Sequence, residues 1–275
     1  MTKYSKLQNE ARKDVDAAIN VWKILIKERL ENKVSFSYVK GSGIKKWDSL
    51  IDYVPIISDI DIHMGTIDYQ PLFPNSREGF LYSLEITKLY EKNFHERRPD
   101  YVHIPRPQIV LMTENQTLFL PQKTEDYLPI YGAVPFRDEE SEVDCKMRDL
   151  DSLREIRGVL DRLPIRVIDR IGLEYFRVLR EVCWVVSPTP VRVLSQFLDS
   201  KKVWKLNRTD IVHGLENVGL GELAEVYRSY YLKGWEAFDT SFTDNQIMRE
   251  LLLLAYDVLQ QSFETLKDIK NKTDE

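Results

Sequence analysis

Asp59 and Asp61 are the residues whose type and spacing point most directly to chemistry. They lie in the run Ile57-Ser58-Asp59-Ile60-Asp61-Ile62-His63-Met64, which alternates apolar and polar positions as a half-buried strand does. Both carboxylates then leave one face, while Ile60 and Ile62 turn toward a core. Two acids held that close repel each other unless a cation lies between them, and hard oxygen donors of this kind suit Mg²⁺. Upstream, Gly41-Ser42-Gly43 closes a second strand-like run. Glycines there let the backbone approach a ligand and present amide N–H groups to phosphate oxygens. Turn and acid pair together suit a metal-bound triphosphate.

The elements that must position these residues are legible as periodicity. Residues 10–32 carry Val15, Ala18, Ile19, Trp22, Leu25, Ile26 and Leu30 at helical spacing. Residues 34–39 read as a strand ending in the glycine turn, and residues 57–64 as the strand of the acid pair. A helix over 76–97 is stopped by Pro99, a third strand lies within 101–113, and 116–120 is a candidate hairpin return. The charged run 137–150 marks a boundary, after which 164–186, 190–199, 208–217, 221–238 and 245–270 all show helical spacing. The fold class is therefore α+β: a mixed-sheet domain over residues 1–140 and a helical bundle over 141–275, with no repeat of fixed period.

Composition narrows the function classes. The 275 residues are 43% hydrophobic and 30% charged, enough apolar mass for a sizeable core. Lys and Arg total 39 against 44 Asp and Glu, a net charge of −5, so no whole-molecule basic field favours nucleic acid, although a tRNA end stays open as a partner. The apolar stretch 251–256 is far short of the roughly 20 residues that span a bilayer, so no membrane partner is expected. The charged N-terminus lacks an apolar signal core, and Cys145 and Cys183 have no paired-cysteine spacing. A cytoplasmic location is the expectation from these features.

Gly41-Ser42 followed by Ser58-Asp59-Ile60-Asp61-Ile62 resembles the nucleotidyltransferase superfamily, which includes kanamycin nucleotidyltransferase, DNA polymerase beta and the tRNA nucleotidyl-adding enzymes. The resemblance covers about residues 33–113. It implies that Gly41 and Ser42 hold the triphosphate of a nucleotide such as ATP, and that Asp59 and Asp61 are catalytic and bind Mg²⁺. It further implies transfer of a nucleoside monophosphate to a hydroxyl, and the lack of a basic balance points to a small molecule or protein as the acceptor. The 16 residues between Ser42 and Asp59 make a long insertion for this pattern, which a longer helix or extra turn must fill. A third acid is implied on a later strand; Gln108 stands there, with Glu114 and His103 as other candidates. A nucleotide-binding or regulatory protein of the same fold is the alternative that Gln108 supports.

Other side chains have simpler readings. Tyr227, Tyr230, Tyr231, Trp235 and Phe238 repeat at helical spacing and suit core packing, with substrate reception as the second option. Ser187 or Thr189 and Asn207 are cap candidates. Arg208 and His213 match the Arg-x4-His spacing of the helical HEPN ribonucleases, a further alternative of the ribonuclease or toxin-antitoxin class. His63 continues the acid face as a solvent-facing strand histidine, and His95 belongs to a surface helix end.

Overall fold

The computed structural model describes residues 3–112 and 119–273. The chain is α+β and divides into two compact units, Met1–Lys46 with Ser58–Glu139 and Trp47–Ile57 with Glu140–Glu275. Where the sequence suggests one cut near residue 140, the structure also transfers the segment Trp47–Ile57 to the helical unit.

In the first unit, α1 (Lys3–Leu25) buries Val15, Ala18, Ile19, Trp22 and Leu25 along one stripe and continues as a π turn, Ile26–Leu30. Strand β1 (Val34–Lys40) runs antiparallel to β2 (Ile60–Thr66). After β2 the chain crosses through α2 (Arg77–Arg97) and returns as β3 (Pro107–Met112), parallel to β2; parallel neighbours need such a crossover. Strand β4 (Leu128–Tyr131) pairs antiparallel with β1, giving the order β3-β2-β1-β4. Ser76 caps α2 by accepting from Gly79 N–H at 3.1 Å, and the helix ends before Pro99.

The third strand starts at Pro107 rather than near 101, and the reason is a buried carboxylate. Asp14 of α1 is fully buried and accepts the backbone N–H groups of Val102 at 2.9 Å and His103 at 3.2 Å, besides Arg98 Nε at 2.9 Å. Those bonds hold residues 102 and 103 off the sheet. The hairpin return expected over 116–120 falls mostly outside the described residues, and the neighbour on the β1 edge is β4.

In the second unit, the charged run read as a boundary is mostly the start of α3 (Glu142–Ile168). Ser141 caps it, accepting from Asp144 N–H at 3.1 Å, and Cys145, Asp149, Leu153, Ile156, Leu160 and Leu163 form its buried stripe. Pro164 lies inside this helix, so the helix expected over 164–186 is instead the end of α3 and a separate α4 (Glu174–Val186). Between them Gly172 takes a positive φ of 56°. The unit continues through α5 (Thr189–Phe197), α6 (Ser200–Val203), α7 (Arg208–Asn217), α8 (Gly221–Asp239) and α9 (Asn245–Thr273). Tyr227, Tyr230, Tyr231 and Trp235 of α8 are fully buried, so the aromatic stripe packs the core.

The segment Trp47–Ile57 is a strap bound along this bundle. Its single 3-10 turn, Leu50–Asp52, is what fills the insertion before Asp59. The Asp52 carboxylate is buried and accepts Asp48 N–H at 2.7 Å, Ser49 N–H at 2.8 Å, Thr209 N–H at 2.9 Å and the Thr209 hydroxyl at 2.8 Å. Thr209 lies in the first turn of α7, where helix N–H groups lack internal partners and a negative charge is favourable. Trp235 Nε1 donates to Leu50 O at 2.9 Å, and Arg208 Nη1 to Ile51 O and Asp52 O at 3.0 and 3.1 Å. Gly234 leaves room for the strap, since a Cβ there would come within 2.5 Å of Ile57 Cδ1.

Two stability measurements check this account. Asp52→Ala removes one acceptor from four donors and should lower the unfolding free energy by about 3 kcal/mol in urea titrations; an unshifted midpoint would assign the strap's anchoring to Trp235 and Arg208 instead. The second concerns His103, whose ring Nδ1 lies 3.4 Å from Asp14 Oδ2. Burial pushes the His103 pKa below its ordinary 6.5 and outweighs Asp14, so the ring is neutral and the contact is no ion pair at pH 7. For Asp14, burial raises the pKa but His103, Arg98 and the two backbone donors outweigh it, holding it below 3.8. Both folded values are depressed, so both contributions are complete above the unfolded values and are lost on acidification. Stability should fall first as pH drops below the unfolded His value, and His103→Gln should flatten that part of the urea-midpoint profile.

Candidate functional site

Strand β1 delivers Lys40 and then Gly41, whose φ of 80° turns the chain out of the sheet. The register sets Lys40 opposite Asp61 and Tyr38 opposite His63. On the other side of β2, Asp61 lies beside Gln108 and His63 beside Val110. Residues paired across a ladder share a face, so Lys40, Asp61 and Gln108 form one row across three strands. Ile60 and Ile62 are fully buried on the opposite face. Ile60 N–H donates to Arg106 O at 3.0 Å, which carries the register one step outward and brings Asp59 beside Arg106.

Gly41 and Asp61 meet closely. A Cβ on Gly41 would lie 2.1 Å from Asp61 Oδ2, whereas one on Gly43 would meet nothing nearer than 3.7 Å. Arg12 of α1 braces the turn by donating to Gly43 O at 2.9 Å and to Lys45 O at 2.5 Å. Ser42, half-buried, sits at the apex, and Ile44 N–H closes the turn on Gly41 O at 3.3 Å.

The counter-charges on this face are protein side chains. Arg106 donates to Asp59 Oδ2 in an ion pair. Lys40 pairs with Glu125, which Arg137 Nη2 also reaches at 3.1 Å while its Nε holds Leu120 O at 3.0 Å. His63 is buried rather than solvent-facing, stacked on Tyr38 with ring centroids 4.9 Å apart, and burial followed by the Lys40 ammonium pushes its pKa down to about 4. Phe119 lies beside His63, tilted with ring centroids 6.2 Å apart, and Tyr127 edge-on to Tyr38.

The structure brings Gly41, Asp59, Asp61 and Gln108 together. His103 is held with Asp14, and Glu114 lies outside the described residues. Arg208 is buried in the helical unit with its guanidinium 4.0 Å from the Tyr231 ring centroid, bound to the strap carbonyls. His213 lines a pocket of about 280 Å³ with Leu50, Val212 and Leu232. Sequence reasoning missed Arg106, Glu125 and Lys40. Arg106 was detectable from its place two residues before Gln108, but nothing in local spacing points to Glu125.

Among the described residues no group of three or more His, Cys, Asp and Glu side chains is gathered to hold a metal. The oxygen donors this face offers are the Asp59 and Asp61 carboxylates, the first paired with Arg106, and the neutral amide of Gln108 beside Asp61, a donor chemistry of the kind a hard cation takes. No helix among the described residues is long and apolar enough to cross a membrane. Compared with known proteins, the chain matches no family model, no curated protein and no solved structure.

Gly41→Ala places a β-carbon both at positive φ and against Asp61, and should cost about 2 kcal/mol in urea unfolding. Gly43→Ala has room and should be close to neutral. Equal effects of the two substitutions would show that the turn relaxes away from Asp61.

Proposed function

We propose that the protein is a nucleotidyltransferase that binds a metal-bound nucleoside triphosphate at the Gly41–Ser42 turn and passes its nucleoside monophosphate to a hydroxyl. What supports this reading above all is the register that gathers Gly41, Asp61 and Gln108 at one end of the sheet, with Asp59 one step away. Backbone N–H groups of the turn would hold the phosphates, a task that requires a bare α-carbon at Gly41. Asp59 and Asp61 would hold Mg²⁺, which when bound neutralises phosphate charge and lowers the pKa of a coordinated hydroxyl. The acceptor oxygen attacks the α-phosphorus, the bond to the pyrophosphate oxygen breaks in line, and an Asp61 carboxylate oxygen takes the hydroxyl proton. Arg106, on the same face beside Asp59, would meet the departing pyrophosphate. The net charge of −5 favours a small-molecule or protein acceptor over a long nucleic acid.

A second reading has its own observation: Gln108 beside Asp61 and Arg106 on Asp59 leave the carboxylate set one acid short, as in a nucleotide-binding or regulatory protein that performs no transfer. Pyrophosphate release from ATP across a panel of hydroxyl acceptors separates the two. Under the transferase reading, Asp61→Asn should reduce release at least a thousandfold without unfolding the chain, because it removes an oxyanion donor to the cation. Gln108→Glu supplies the third acid and should raise metal affinity. Parental release by Asp61→Asn would defeat the assignment, and ATP binding with no release in any variant would favour the second reading.

A further inference from the structure

Lys40 immediately precedes the phosphate-binding turn of the proposed site, yet its ammonium is turned onto a carboxylate. Its side chain leaves the sheet on the face of Asp61, directly across the β1–β2 ladder, and retains 22% exposure. The carboxylate is Glu125, which the chain brings back over this face, anchored by Arg137 through Leu120 O and by Tyr127 against Tyr38. A lysine ammonium is a compact charge with three donors on a flexible stem, suited to phosphate oxygens that arrive from solvent.

We infer that Lys40 is a phosphate-binding residue of the nucleotide site and that Glu125 competes with the phosphate for it; the inference rests on the nucleotide-binding reading. The decisive feature is that Glu125 has two cations. When Lys40 swings to a phosphate, the Glu125 carboxylate keeps Arg137 at 3.1 Å, so the exchange strands no buried charge. A partly exposed Lys–Glu pair adds little stability, whereas a triphosphate presents several charges to the same ammonium. The Arg106–Asp59 pair on the other side of Asp61 has the same form, a cation held by an acid until ligand charge arrives.

The rival explanation is that Lys40 and Glu125 only clamp the 119–137 segment over the sheet. Calorimetric ATP·Mg²⁺ dissociation constants for the full chain distinguish the two, because the inference predicts changes of opposite sign. Lys40→Met should weaken binding about tenfold, and Lys40→Arg should restore most of it. Glu125→Gln should tighten binding severalfold, and that gain should vanish in the Lys40→Met, Glu125→Gln double variant. The Lys40→Met penalty should shrink when AMP replaces ATP. Circular dichroism and thermal melts establish that each variant folds. A clamp gives weaker or unchanged binding in both single variants, and either pattern overturns the inference while leaving nucleotide binding intact. A parental chain that binds no ATP overturns the nucleotide reading and this inference with it.

Discussion

The Asp61 carboxylate occupies the space that any side chain on residue 41 would need, and the geometry of the candidate site follows from that exclusion. Only glycine satisfies both the positive φ and the close approach. Once Gly41 and Asp61 are in contact, the antiparallel ladder fixes Lys40, Tyr38 and Phe36 against Asp61, His63 and Gly65. A slip of one residue would send every one of these side chains to the opposite face. Gly65 repeats the exclusion further along, where a Cβ would come 2.2 Å from the Phe36 ring. Gly41, just past the end of β1, and Gly65, on β2, thus both suit this register, in which β3 pairs with β2.

Charge is arranged by the same ladder. Acidic neighbours on one strand face repel, and each of Asp59 and Glu125 is answered by a cation delivered from elsewhere in the chain. Arg106 arrives because β3 runs parallel to β2; Lys40 arrives because β1 runs antiparallel. Among the described residues, the ion pairs here join Asp59 to Arg106 and Glu125 to both Lys40 and Arg137. Charges of both signs therefore sit side by side at this end of the sheet.

What the sequence discloses is what neighbours in the chain determine. The strand, glycine turn and alternating acid strand are legible because period and turn chemistry are local, and the core stripe of α1 is legible for the same reason. The charged run 137–150 misleads because charge on the exposed face of an amphipathic helix looks like a linker; the buried stripe Cys145, Asp149, Leu153 and Ile156 includes an acid and a thiol and so is faint. Asp149 is tolerated there because Ser195 and Trp204 donate to it at 2.7 and 2.9 Å, partners 46 and 55 residues distant. Glu125 is hidden likewise, since its partner Lys40 is 85 residues away. Long-range pairing of polar groups leaves no period, and the Lys40–Glu125 pair is of that kind.

The insertion between the turn and the acid pair shows the same logic in backbone form. Ile56, β-branched, takes a φ of 71°, a conformation that costs such a residue about 1–3 kcal/mol. It persists because its surroundings over-determine it: Arg180 donates to the Ile56 carbonyl, Ile57 packs onto Gly234, and Asp52 fixes the strap four residues earlier. The strain lies three residues before Asp59, on the helical unit's side of the chain division. The path of the strap between the glycine turn and the acid strand is therefore set by helices that follow it by more than a hundred residues. An insertion that reads as an interruption of the pattern is the stretch the helical unit is built to hold.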